Sequence, residues 1–101
     1  MKCLKTIEMV FDKDSPLWST DVECNKMLVK AVEMQVLHLV KTNGWASLND
    51  AFDLLGLTRN VYGLQLGWTT DNILTEDLFD IYTTDGTSDL IIDFNRLTYL
   101  F

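Results

Sequence analysis

The order of apolar and polar positions divides the chain into strand-like and helix-like segments. In residues 5–12 every second position is apolar, which is the period of a strand with one buried face; these positions are Ile7, Met9 and Phe11. The stretch DKDSP at 12–16 is typical of a turn, because Asp and Ser favour turns and proline cannot donate to a β-ladder. Leu17 and Trp18 follow as the predicted second strand of an N-terminal hairpin.

A long helix is predicted next. Thr20 and Glu23 have the capping-box spacing, in which each side chain satisfies a free backbone amide of the other residue. Apolar residues then recur at intervals of three and four, the spacing of one buried helical stripe: Leu28, Val29, Val32, Val36, Leu39 and Val40. Asn43-Gly44 predicts the end of this helix, because glycine readily adopts the left-handed conformation of a helix terminus.

Two shorter helices are predicted after the long one. Ser47 and Asp50 cap the first of them, and Gly56 ends it. Thr58 is placed to cap another short helix through about Leu66. The stretch LGLTRNVYGLQLGW then places a tryptophan directly after a closing glycine.

The glycines of this stretch raise the question of a phosphate-binding loop. Gly56, Gly63 and Gly67 are spaced G-x6-G-x3-G, which matches neither the dinucleotide-binding fingerprint nor a P-loop. We therefore interpret Gly56 and Gly67 as helix terminators, and Gly63 as a position of close packing against a neighbour.

The last third of the chain predicts a second hairpin. Residues 77–84 and 89–95 both alternate, and Asp85-Gly86 between them is a strong turn dipeptide. We therefore predict that residues 1–101 form a single α+β domain with an N-terminal β-hairpin, one long and one or two short helices, and a C-terminal β-hairpin. We expect the antiparallel sheet to pack on the long helix.

Composition supports a folded, soluble domain with reduced cysteines. The chain is 48% hydrophobic and contains one proline, and no apolar run approaches the roughly 20 residues of a membrane span. Glu8 interrupts the apolar stretch near the start, which argues against a signal peptide. Cys3 and Cys24 are too few for a disulfide scaffold and lack metal-ligand spacing, which favours a cytoplasmic location.

The negative charge is confined to the second part of the chain. Residues 1–41 carry six lysines and six acids, whereas residues 42–101 carry nine acids and two arginines and so hold the whole net charge of −7. Such a chain repels nucleic acids and membrane surfaces and attracts basic proteins or cations.

Several motifs resemble a known family. WASLNDAFDLLGL, the G-x-x-x-GW of Gly63 to Trp68, and an acidic hairpin that closes on IIDFN are similar to the C-terminal soluble domain of an uncharacterised family. That family is encoded by bacteriophages and prophages of Gram-positive bacteria. The similarity covers residues 12–95 and departs from the family at the spacer TRNVYG, which is usually proline-rich. It implies a phage or mobile-element origin, location in the host bacterial cytoplasm, and no catalytic residue.

Catalytic and metal-binding patterns are absent from the sequence. His38, the one histidine, lies in mid-helix without a local carboxylate to orient it, and no cysteine or acid lies at metal-ligand spacing from it. Cys24 lies in the first turn of the long helix, where the dipole lowers a thiol pKa, but we interpret it as a semi-buried structural thiol. No calcium-loop motif occurs. We therefore predict a protein that is not an enzyme, with no catalytic residue, cofactor or metal.

The acidic cluster in the last third is the candidate binding site. It contains seven acids and no base: Asp71, Glu76, Asp77, Asp80, Asp85, Asp89 and Asp93. Asp89 and Asp93 share one face of the predicted strand, and Asp80 is expected to approach them from the partner strand. Three interpretations are open: a solubilising sheet edge, a surface that engages a basic partner, and a cation or catalytic site. Exposed aromatic residues beside the acids would anchor such an interface, with Trp18, Trp45, Tyr62 and Trp68 as the candidates.

The leading functional hypothesis is a phage accessory protein that acts by protein–protein binding. Its acids would occupy the basic nucleic-acid channel of a host defence complex, as an anti-CRISPR inhibitor does, without contacting nucleic acid itself. The alternative is a structural or assembly module that self-associates through the sheet edge or the helix flank. Both a monomer and a homodimer are compatible with the sequence.

Overall fold

Strands and helices alternate along the chain in a mixed α+β fold. The computed structural model describes residues 5–71, 78–84 and 86–100. Within these ranges the elements are β1 (Lys5–Phe11), α1 (Val22–Asn43), β2 (Trp45–Ser47), α2 (Leu48–Leu55), α3 (Val61–Gln65), β3 (Leu66–Thr69), β4 (Phe79–Thr83) and β5 (Leu90–Tyr99). The predicted α+β class, with one long helix and an antiparallel sheet, is confirmed. No helix in the described ranges has both the length and the apolar character to traverse a bilayer.

The strand β5 is the centre of the sheet. β1 pairs antiparallel with it from Lys5↔Leu97 to Phe11↔Leu90. β4 also pairs antiparallel with it, from Phe79↔Phe94 to Thr83↔Leu90, and therefore occupies its other edge. Beyond β4, β3 pairs with the end of β5, and β2 pairs with β3. The ten-residue strand β5 thus pairs with β1, β3 and β4 and connects them in one sheet.

The predicted N-terminal hairpin does not form. Leu17 and Trp18 lie in turns and irregular chain, and β1 pairs with β5 instead. Ser15 explains the path of this segment, because its buried hydroxyl donates to the Leu55 carbonyl over 2.7 Å. That bond satisfies a carbonyl at the C-terminal end of α2, where no helical partner exists. The segment therefore packs on α2 rather than on β1.

The core lies between the inner face of the sheet and the helices. As the alternation predicts, Phe11, Ile92 and Phe94 are completely buried on this face. Aromatic rings meet at its centre, where Phe79 and Phe94 form an edge-to-face pair with centroids 4.9 Å apart. Trp68 is also completely buried, and its indole Nε1 donates to the Asn95 carbonyl over 2.7 Å.

The long helix α1 begins one residue later than the sequence predicts. Asp21, not Thr20, is its N-cap, and its carboxylate accepts the Glu23 amide. Aspartate is as good an N-cap as serine and better than threonine, and its charge also favours the positive end of the helix dipole. Gly44 ends the helix as predicted, in the left-handed conformation with φ 89°.

Gly56 and Gly67 have different structural roles. Gly56 ends α2 with φ 71°, as predicted, and the predicted Ser47–Asp50 capping box is present. Gly67 does not end a helix; it lies in β3, where an added Cβ would stand 2.1 Å from the Ala46 carbonyl oxygen. The β2–β3 pairing therefore requires glycine at this position.

The short helix α3 begins later than predicted. Its first residue is Val61, and the Asn60 side chain, not Thr58, accepts a backbone amide at its start, that of Gly63. Asn49 holds this turn through hydrogen bonds to both the amide and the carbonyl of Asn60. An added Cβ on Gly63 would lie 2.0 Å from the Asn49 side-chain oxygen, so Gly63 allows close packing, as expected.

A buried glutamate joins α1 to the beginning of β4. Glu33 is 1% exposed, although the periodicity of α1 gave no sign of a polar residue in the buried stripe. Its Oε2 accepts the Phe79 backbone amide over 2.8 Å, and its Oε1 pairs with Lys30 Nζ at 2.7 Å. Both carboxylate oxygens are therefore satisfied away from solvent, which offsets the cost of burying the charge.

Replacing Glu33 tests the contribution of this contact. Glu33→Ala leaves the Phe79 amide without an acceptor, and we expect it to lower the free energy of unfolding by about 2–4 kcal/mol. Glu33→Gln keeps an oxygen that can accept the amide, and should cost clearly less. Urea denaturation measures both values. Equal losses for the two variants would show that the hydrogen bond to Phe79 contributes nothing.

Candidate functional site

The outer face of the sheet, opposite the helices, carries a row of three acids. Glu8 pairs with Asp93 across β1 and β5, and Asp80 pairs with Asp93 across β4 and β5. Directly opposed residues have Cβ atoms about 4.5–5.5 Å apart on the same face. Glu8, Asp93 and Asp80 therefore form one line across three neighbouring strands, which we call the acid row.

An apolar row lies beside the acid row, two residues along each strand. Val10 pairs with Ile91, which in turn pairs with Tyr82. Val10 is 46% exposed and Tyr82 is 50% exposed, while the central Ile91 is half-buried. The outer face thus presents a charged line and an apolar line in parallel, both on the same three paired strands.

The carboxylates of the acid row have no ion-pair partner among the residues that the structure describes. Asp80 accepts one hydrogen bond, from the Asn95 side-chain amide over 2.7 Å. Like charges placed directly opposite each other destabilise a sheet. The row therefore places like charges opposite one another, and a cationic partner would reduce their repulsion.

The structure brings together some of the predicted acids and separates others. Asp80 does approach Asp93, as the hairpin predicted, and Asp89 lies just before β5. Asp71 is exposed in the turn after β3 and is not part of the row. Three further acids lie outside the described residues: Glu76, Asp77 and Asp85.

Glu8 is a member of the acid row that was not predicted from the sequence. Its position between Ile7 and Met9 placed it on the polar face of β1. The sequence held no sign that β1 would pair with β5, because the expected partner of β1 was the segment after Pro16. The long-range pairing adds Glu8 to the row and Val10 to the apolar line.

Metal-binding and catalytic arrangements were not predicted, and the described residues contain no group of three His, Cys, Asp or Glu side chains close enough to hold a metal ion. His38 is exposed on α1, in an open depression of about 290 Å³ that Met34, Leu37 and Lys41 also line. A second open depression, of about 370 Å³, lies beside Trp45 at the start of β2. Of the three candidate tryptophans, Trp45 is the exposed one, at 47%, and it lies on β2 rather than in the acid row.

Cys24 was expected to be semi-buried and to lie where the helix dipole lowers a thiol pKa, and the structure differs on both points. The residue is exposed rather than semi-buried. Its Sγ donates to Asp21 Oδ2 over 3.5 Å, and this hydrogen bond, together with the negative charge of Asp21, raises the pKa of the thiol above its usual value. The capping aspartate therefore acts on the thiol in the direction opposite to the helix dipole, which would lower the pKa.

Neutralising the acid row tests the repulsion within it. The triple variant Glu8→Gln/Asp80→Asn/Asp93→Asn should raise the free energy of unfolding by about 0.5–1 kcal/mol at low ionic strength, because two opposed like-charge pairs disappear. At about 1 M salt the gain should shrink, since the Debye length falls to about 3 Å.

A matched control removes the same charge elsewhere. Asp14→Asn/Glu23→Gln/Asp53→Asn also removes three acids, but two of them are paired with Lys26 and Arg59. We expect no stabilisation from this control. If both triple variants gain equal stability at low salt, net charge rather than the acid row causes the effect.

The pKa of Cys24 can be tested by thiol reactivity in a Cys3→Ser background. Asp21→Asn keeps a good N-cap but removes the charge that raises the thiol pKa. The pH at which Cys24 becomes reactive toward a neutral disulfide reagent should therefore move downward, since more thiolate is present at a given pH. Asp14→Asn is the control and should leave the profile in place. An unchanged profile in Asp21→Asn would contradict the assignment.

Comparison with known proteins identifies a family and no characterised relative. No curated protein and no solved structure is significantly similar to the chain. Residues 3–100 match a family of unknown function, DUF6353. This match covers every element from β1 to β5, including both edges of the acid row. The chain belongs to this family of unknown function, DUF6353.

Proposed function

We propose that the protein is a binding module that engages a basic surface of another protein through the outer face of its sheet. The observation that carries the proposal is the acid row beside the exposed apolar row. A basic partner would relieve the repulsion in the acid row, and its apolar groups would cover Val10 and Tyr82. Charge would then set association rate and specificity, while apolar burial would hold the complex.

In its specific form, the proposal gives the partner a nucleic-acid-binding channel. Effectors of host defence hold nucleic acid through rows of lysine and arginine, and carboxylates at regular spacing compete for the same counter-charges. The resemblance of its motifs to a family encoded by phages and prophages supports the mobile-element origin that we propose. The protein would then act in the cytoplasm of the host bacterium as an inhibitor without catalytic activity.

A capture experiment with matched variants tests the proposal. The immobilised chain, incubated with a lysate of the host bacterium, should retain basic proteins that elute as salt rises. The triple variant Glu8→Gln/Asp80→Asn/Asp93→Asn should lose them, whereas Asp14→Asn/Glu23→Gln/Asp53→Asn should retain them. If both variants retain the same proteins, the outer face is not the binding surface and the proposal fails.

Self-assembly is a second candidate function, favoured by one observation on α1. Met27 and Met34 are 72% and 64% exposed and lie seven residues apart, hence on one face of the helix. Exposed methionines adapt readily to partner surfaces. A stable oligomer in light scattering at micromolar concentration, abolished by Met27→Lys/Met34→Lys, would favour assembly. A monomer under these conditions would favour the binding module.

A further inference from the structure

β1 is an edge strand of the sheet. β1 pairs with β5 along one edge, and no strand among the described residues pairs with the other. Alternate residues of this seven-residue strand therefore direct their backbone donors and acceptors toward the second edge, in the geometry that pairs with a neighbouring strand. Edges of this length are usually covered or blunted by charge, and the acid row reaches the edge at Glu8.

The inner face of β1 is incompletely covered at the same edge. Ile7 and Met9 point toward the core and pack against it, yet both remain only half-buried. Their equivalents on the central strand, Phe94 and Ile92, are completely buried. Apolar side chains from an added strand would complete the burial of Ile7 and Met9, as those of β1 do for β5.

Glu8, on the outer face of β1, determines which charge an added strand should carry at the neighbouring position. A residue placed opposite Glu8 would extend the acid row by one position. An acidic residue there would add to the repulsion, whereas a lysine or arginine would neutralise the end of the row. A second copy of this chain is a poor occupant, because each copy carries a net charge of −7.

We propose that the partner binds by adding an extended strand to the free edge of β1, with basic residues on the outer face and apolar residues on the inner face. Main-chain hydrogen bonds give such strand addition its affinity, and alternate side chains give it specificity. The inference rests on the proposed function, and adds to it the backbone through which the partner is held.

Designed peptides of the length of β1 test the inference with the full-length chain. The first alternates lysine and valine, and the second has glutamate in place of each lysine. We expect the lysine peptide to bind at least about tenfold more tightly, because opposite charges meet at Glu8 and like charges are absent. Glu8→Lys should reverse this preference, while Glu23→Lys, an equal charge change on α1, should preserve it.

Backbone methylation separates strand addition from simple charge attraction. One variant of the lysine peptide is N-methylated at every lysine and the other at every valine, so that each blocks one edge of the peptide. Strand addition predicts that only the variant blocked on the edge facing β1 loses about tenfold or more in affinity. Amide hydrogen exchange should show new protection in β1 on binding of the unmethylated peptide.

Each failure has a different meaning. If both methylated peptides bind as tightly as the unmodified peptide, strand addition is wrong, although the acidic face can still bind basic partners. If the lysine peptide does not bind, or if the free chain is a dimer whose β1 edge is already protected, the inference is also overturned. If neutralising the acid row leaves lysine-peptide binding unchanged, the proposed function itself fails.

Discussion

The antiparallel pairing of β5 with β1 on one edge and β4 on the other is the constraint on which the structure depends. Because side chains alternate across a strand, one register fixes both faces of the three strands together. It directs Phe94 into the aromatic core and leaves Asp93 outside between Glu8 and Asp80. A slip of one residue in either pairing would bury carboxylates and expose the core. The hydrophobic core therefore enforces the acid row, although the row itself is unfavourable.

Local sequence patterns predicted most of the helices and strands, but they did not predict which distant strands pair with each other. Hydrophobic periodicity predicted α1 and the alternation of β4 and β5, and the spacing of Ser47 and Asp50 predicted the capping box of α2. All of these features depend on residues that are close in sequence. The predicted partner of β1 was wrong. A strand with alternating apolar and polar residues can pair with many other strands, so its sequence alone does not identify its neighbour. Gly67 was misassigned for a related reason: its need for glycine comes from the Ala46 carbonyl, which a distant segment brings close.

The candidate site was predictable only in part for the same reason. Asp80 and Asp93 are joined by a hairpin, so their approach followed from local sequence. Glu8 entered the row through the β1–β5 pairing, and Asp71, which is close in sequence to the cluster, did not. The buried Glu33 gave no sequence signal, because its role is to accept a backbone amide from β4. Charge density along the chain was therefore a partial guide to charge density on the surface.

The acid row is also the link between the fold and the proposed binding. Surface charge that merely keeps a protein soluble does not need to lie in register across three strands. Placing the acids in one line next to Val10 and Tyr82 creates a surface with a defined spacing of charge and apolar area. Such a surface can discriminate between partners, because wrong partners leave the carboxylates unpaired.

Cross-strand nuclear Overhauser effects between backbone protons of the isotope-labelled chain test the central claim most directly. The account predicts contacts of Asp93 with Glu8 on one side and with Asp80 on the other. Contacts displaced by one residue in either pairing, such as Asp93 with Ile7, would place the acids on opposite faces of the sheet. That result would contradict both the acid row and the function proposed for it.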